Sequence, residues 1–350
     1  MPQSSPTLRL IVLWGLSEAL LGGILHALKL PLTGLLVGGA AVVLIHMLGE
    51  EGRWRGTVLR GLLVVLSIKA LLSPQSPPTA YLAVAFQGVL GELLSWPRAA
   101  PRLRALLLGG LTMLESAGQQ LLVLWLLMGK TSAVALNMYV DKLLGTNHSD
   151  YALVLVMLWL GGHALVGLGL GWWAGGLRER LPRLAQQHPE LLLPDTIEPD
   201  TALEPMTAQS APHSPRSRRR WRPNRALLII WGLLALGWLG SRLGWWPSGP
   251  LGAKGLLGLL LRSVLIYGAW ALLLAPLLLQ ALRRWLTGPH RGRWARDLQA
   301  ALELLPATRQ LVQACWQLTA HRRGLARLRL MVQTVALNSL SSFSVQNRAA

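Results

Sequence analysis

The chain has 350 residues, of which 52% are hydrophobic and only 14% charged, well below the quarter expected of a water-soluble domain. Its single cysteine, Cys315, excludes an intramolecular disulfide and a Cys-rich zinc or iron–sulfur site. The formal charge of +19 does not point to nucleic acid, because Lys and Arg gather at the ends of apolar runs, where they suit anionic lipid.

Eight apolar runs are expected to span a bilayer, near 8–27, 31–48, 57–73, 78–95, 104–128, 151–174, 226–244 and 256–282. A hydrocarbon core of about 30 Å takes about 20 apolar helical residues. In the first run only Arg9, Glu18 and His26 can ionise, and in the second only His46. No small-residue cleavage site follows the first run, so it reads as a retained span rather than a signal peptide. Between the third and fourth runs, Ser73-Pro74-Gln75-Ser76-Pro77-Pro78 forces a reversal.

Orientation follows from the connectors. With the N-terminus inside, Arg53, Arg55, Arg60, Arg98, Arg102 and Arg104 all fall on the cytoplasmic side, and the outer connectors are nearly neutral. The expectation is a multi-pass protein of a bacterial inner membrane with both termini cytoplasmic.

The predicted fold is all-α, a polytopic transmembrane bundle in four parts: a six-helix domain over 8–175, a linker over 176–225, two further spans over 226–286 and a basic amphipathic tail over 287–350. Leu181–Pro223 contains eight prolines, an acidic half and the basic end Arg216–Arg222, a composition that predicts a disordered cytoplasmic linker. In the tail, Leu298, Leu302 and Leu305, then Leu311, Val312, Cys315 and Trp316, then Leu325, Leu328, Met331 and Val332 recur at helical spacing. Pro306 is expected to separate two helices, and the tail could lie on lipid or dock a cytoplasmic partner.

Function in such a chain is signalled by polar groups that lipid should exclude. Within the predicted spans these are Glu18, Lys69, Gln87, Glu92, Glu115, Gln119, Gln120 and His163. Each costs on the order of 2.5–3.5 kcal/mol at a helix centre unless it meets a partner or water. Lys69, Glu92, Glu115 and Gln119 are expected to form an intramembrane polar cluster, either as interhelical hydrogen bonds or as part of a proton or ion path. A second set collects at the outer ends: His26, Lys29, Tyr81, Lys130, Asn137, Tyr139, Asp141 and Lys142. It would suit a small polar or anionic solute, or it is ordinary snorkelling. Gly15, Ala19 and Gly23 form a small-residue stripe that serves either internal packing or a subunit contact.

Residues 8–175 resemble the substrate-capturing S component of energy-coupling-factor (ECF) importers. The resemblance is carried by the six-helix unit, the Gly15/Ala19/Gly23 stripe, the first connector around Gly34 and the segment from Ser73 through Tyr81 to Glu92. It implies a solute pocket near the outer face with Lys29, Tyr81, Asn137 and Asp141 beside it, and it turns the stripe toward a coupling membrane subunit with a separate cytoplasmic ATPase. The linker, the two further spans and the tail depart from that family.

No phosphate-binding Gly-x-x-x-x-Gly-Lys loop, His-Glu-x-x-His pair or Gly-x-Ser-x-Gly elbow occurs, so neither an enzyme nor a bound cofactor or metal is expected. The expected function is solute capture for an uptake transporter, and the alternative is a membrane scaffold whose tail recruits a cytoplasmic partner.

Overall fold

A computed structural model describes residues 5–22, 33–52, 54–73, 76–96, 100–128, 131–145, 150–193, 225–243 and 293–340, with six single positions between 257 and 268. Every regular element among them is helical. In chain order the helices are α1 (Pro6–Leu16), α2 (Thr33–Glu51), α3 (Thr57–Leu72), α4 (Pro78–Leu94), α5 (Pro101–Met128), α6 (Thr131–Leu144), α7 (Tyr151–Gly175), α8 (Leu177–Gln187), α9 (Arg225–Arg242), α10 (Arg293–Leu318) and α11 (Gly324–Leu340). Contacts divide the chain into two units. One comprises 1–119, 158–198 and 286–350, and the other 120–157 and 199–285.

The first unit is built around α1. Ser5 caps it, accepting from the Leu8 amide at 3.3 Å, and Pro6 supplies a first-turn residue that needs no hydrogen-bond acceptor. Eight of its eleven residues are buried, including Leu10, Val12 and Trp14. A helix apolar all round belongs at a centre, and α2, α3, α10 and α11 all pack against it. After Leu16 the helix widens into a π-turn over Ser17–Leu21.

Tight crossings need small residues. On α5 and α7, a β-carbon at Gly109 would collide with the carbonyl oxygen of Gly167, and one at Gly171 with that of Ala105. These two helices therefore touch backbone to backbone, the close approach that small residues at four-residue intervals permit. Gly15 packs against the side chain of Ile68 of α3, and Ala19 is buried, so both are covered within the chain. Gly23 lies outside the described residues.

Two expectations about the second half change. Residues 177–193 are ordered rather than linker: α8 continues through Pro182, a short 3-10 turn follows at Pro189–Leu191, and Leu177, Leu181 and Leu191 are buried. Three apolar side chains at suitable spacing anchor this stretch despite its prolines. Residues 194–224 lie outside the described residues. In the tail, Pro306 sits inside α10, which runs unbroken for 26 residues. The chain turns instead at Thr319–Arg323, where Gly324 adopts φ +59.

The tail helices join the first unit. Leu298, Ala301, Ala336 and Leu337 enter the same buried cluster as Leu10, Trp14 and Ile68. Asp297 of α10 pairs with Arg60 of α3 at 2.6 Å. Asn338 of α11 donates to the Leu191 carbonyl at 2.9 Å and accepts from the Leu193 amide at 2.8 Å, which fixes the segment after α8.

Among the described residues, two helices are long and apolar enough to cross a membrane. They are Gly34–Glu51, with mean hydropathy 1.4, and Tyr151–Gly175, with mean hydropathy 2.1 over 25 residues. Thr79–Leu94 is a shorter apolar helix. The window in Gly34–Glu51 is 61% buried, whereas that in Tyr151–Gly175 is only 11% buried. The outward residues of α7 include Leu158, Leu165, Val166 and Trp172, and those of α4 include Leu82, Val89 and Leu93.

Candidate functional site

The π-turn of α1 carries Glu18 into the interior of the first unit. There it meets Lys69, from the last turn of α3, with Nζ donating to Oε2 at 2.7 Å. The side chains are 2% and 1% exposed, so the pair is sealed from solvent. The position of Lys69 suits the negative end of the α3 dipole. Gly22 keeps the space beside it open, since a β-carbon there would stand 3.9 Å from Nζ. The Tyr81 ring lies 6.0 Å from the ammonium, and its hydroxyl donates to the Ser73 carbonyl at 3.4 Å. Ser73 and Ser76 share a hydroxyl hydrogen bond of 2.9 Å, closing the turn between α3 and α4.

A second polar group lies where α2, α4 and α5 converge. A β-carbon at Gly38 would stand 3.7 Å from both the Gln87 amide nitrogen and the Thr112 methyl. Glu18 Oε1, Gln87 Oε1 and Thr112 Oγ1 are buried without a hydrogen-bond partner among the described residues. Each such atom costs about 1–3 kcal/mol when left unpaired. The protein's own groups leave these three acceptors of the first unit unsatisfied.

The expected intramembrane cluster separates into three places. Lys69 pairs with Glu18, not with Glu92 or Glu115. Glu92 caps α3, accepting from the amides of Gly56 at 2.6 Å, Val58 at 2.9 Å and Leu59 at 3.3 Å. This carboxylate at a helix N-terminus also complements the dipole. Glu115 is half-buried on α5 and hydrogen-bonded to Gln119 one turn later.

The outer set divides as well. Lys29 lies outside the described residues. Tyr81 joins the Lys69 neighbourhood in the first unit. Asn137 belongs to the second unit, where it fixes the start of α7: its amide donates to Asp150 at 3.1 Å and its carbonyl oxygen accepts from the Ala152 amide at 2.7 Å. Asp141, one turn later on α6, is half-exposed.

At the opposite end of α2, Arg104 donates to Glu50 and, at 3.1 Å, to the Ser95 carbonyl. Arg104 and Ser95, with His46, line a cavity of about 10 Å³, room for one water. No cluster of three metal-ligating side chains occurs among the described residues.

Sequence reasoning missed the Glu18–Lys69 partnership. The available signal was charge balance: both residues interrupt apolar runs, and a buried cation needs an anion. Compared with family models, curated proteins and solved structures, the chain finds no match.

Proposed function

We propose that this chain is a multi-pass inner-membrane protein that captures a small solute for an uptake system energised by a separate ATPase. The observation that carries the proposal is the Glu18–Lys69 pair, sealed inside a helical unit whose outer faces are apolar. A water-soluble protein has little reason to expose Leu165 and Leu93 and to bury a lysine. In lipid, leucines face outward and the rare intramembrane charges turn inward to a partner, where they mark binding or transport paths.

The six-helix bundle, the cytoplasmic placement of both termini and the ECF S-component resemblance belong to the same proposal. Lys69, Tyr81, Gln87 and Thr112 then contribute the polar lining, with Glu18 balancing the lysine. Capture works by changing access to this interior, with no covalent step. A partner ATPase and a coupling membrane subunit are part of the reading.

The test is a thermal-shift screen of the detergent-purified chain against vitamins and transition-metal ions. A ligand that binds only the folded state must raise the melting temperature. One solute class is expected to do so, and Glu18→Gln with Lys69→Met is expected to abolish the shift. Uniform silence across the screen sinks solute capture.

A scaffold role is the second reading, favoured by the turn between α10 and α11. Trp316, Leu325 and Leu328 are exposed there, Leu325 by 84%, and Arg327 stacks on Trp316 at 3.7 Å. Among the described residues of the tail, the other large apolar side chains are buried or half-buried, so this tip is its exposed apolar patch. Leu325→Glu, which leaves the packed face intact, tests it: full function in that variant removes the scaffold reading.

A further inference from the structure

The N-terminal turn of α5, the last turns of α7 and the start of α8 enclose a groove of about 470 Å³ in the first unit. Its lining is mainly apolar, from Pro101, Leu103, Leu106 and Trp172, with Arg102 and Glu179 as the charged members. Arg102 pairs with Glu179 at 2.7 Å, and its guanidinium lies 5.6 Å from the centre of the Trp172 ring. Both members of the pair are largely exposed, so it remains open to exchange with another anion.

The local charge is not balanced by Glu179. Arg180 is half-buried and has no ion-pair partner among the described residues. Burial first, then the like charges of Arg329 and Arg102, lower its pKa from the ordinary arginine value. Arg180 follows Glu179 on α8, so a second guanidinium adjoins the groove beside Arg102, next to the positive end of α5.

We propose that this groove is a binding site for an anionic glycerophospholipid, with the phosphate held by Arg102 and Arg180 and an acyl chain laid against Leu103, Leu106 and Trp172. The inference rests on the membrane reading above and gives the anionic lipid one defined site, which the charge distribution alone does not. Two features favour lipid over a soluble anion. The lining is apolar, and it continues into the exposed apolar residues Leu107, Leu165 and Leu168 of the same helices. A tryptophan beside arginines at the end of an apolar exterior also matches the headgroup level, where Trp anchors and cationic side chains reach phosphate.

The experiment uses the full chain, delipidated in neutral detergent and titrated by native mass spectrometry with phosphatidylglycerol, phosphatidylcholine or inorganic phosphate. Phosphatidylglycerol should bind about tenfold more tightly than phosphatidylcholine, and the Arg102→Gln/Arg180→Gln double variant should lose that preference. Leu106→Trp, which fills the groove without changing charge, should weaken both lipids. Arg242→Gln, in the second unit, should change neither. Equal binding of the two lipids, an unaltered preference in the double variant, or displacement of lipid by millimolar phosphate each overturns the site. Recovery of the same protein in carbonate-washed membranes keeps a failure of the membrane reading distinguishable from a failure of this site.

Discussion

Lys69 is buried, and Glu18 is the carboxylate that it meets. Removing one partner of a buried ion pair leaves the other uncompensated, which costs about 3–5 kcal/mol, whereas replacing both with apolar groups is often neutral. Lys69→Met should therefore lower the melting temperature of the detergent-purified protein sharply, and adding Glu18→Leu should restore most of it. A double variant no more stable than the single one would show that the pair's hydrogen-bonding surroundings, rather than its charge balance, hold the interior together. Cys315 offers an independent probe of the tail. Burial pushes its thiol up to about 12, and the side chain is fully covered on α10. At pH 8 roughly one thiol in ten thousand is then ionised. A disulfide reagent should label the folded protein slowly at pH 8, faster as pH rises toward 10, and rapidly at any of these values once the chain is unfolded in detergent. Labelling of the folded protein at the rate of a free thiol would place α10 away from the core.

At the level of elements, Glu92 shows how a residue that looks intramembrane can serve a helix end. Its carboxylate satisfies three amides at the start of α3, where Gly56 takes φ +89 and no side chain at that position can cap. Hydrogen bonds to a charged group contribute about 1.5–3 kcal/mol, and the dipole adds to this. Glu92→Ala should cost at least about 2 kcal/mol in stability, read as an earlier thermal midpoint, and Glu92→Gln should recover only part of it. An unchanged midpoint in Glu92→Ala would mean that water replaces the cap without cost. The sequence placed Glu92 in a span from its neighbours' hydropathy, but it could not show that α4 ends beside the start of α3. The same limitation applies to Asn338 and Leu191, which meet across 147 positions. The long apolar runs behind α2 and α7 were legible because length and hydropathy are local properties. The Pro77-Pro78 start of α4 was legible because proline punctuates locally. The continuity of α10 through Pro306 was not, because packing of Leu298, Ala301 and Cys315 outweighs a single lost hydrogen bond.

At the scale of the whole molecule, hydropathy and burial decide different things. Hydropathy selects both Gly34–Glu51 and Tyr151–Gly175, but burial separates a helix enclosed by neighbours from one that presents its sides to the surroundings. The exposed sides of α7 therefore carry the membrane reading more strongly than the eight apolar runs of the sequence do. The candidate site was legible only as a set of residues: Glu18, Lys69, Gln87 and Tyr81 were all visible as polar interruptions, but the Glu18–Lys69 pairing involves a π-turn that hydropathy does not encode. Orientation rests on the arginines of the connectors, and it has a direct test because the chain has one cysteine. In a Cys315→Ser background, Asp150→Cys lies between α6 and α7 and Leu192→Cys lies after α8, both at positions that are exposed in their own units. An impermeant maleimide should label Asp150→Cys in intact cells and Leu192→Cys only after lysis. The positive-inside arrangement puts the Arg-rich side in the cytoplasm and the near-neutral connector outside. The reverse pattern would invert the protein, moving the Arg102–Arg180 groove to the outer leaflet and the Lys69 end of α3 to the cytoplasmic side. Labelling of both positions in intact cells would mean that α7 does not cross the bilayer, and its exposed leucines would then have to be covered by another protein.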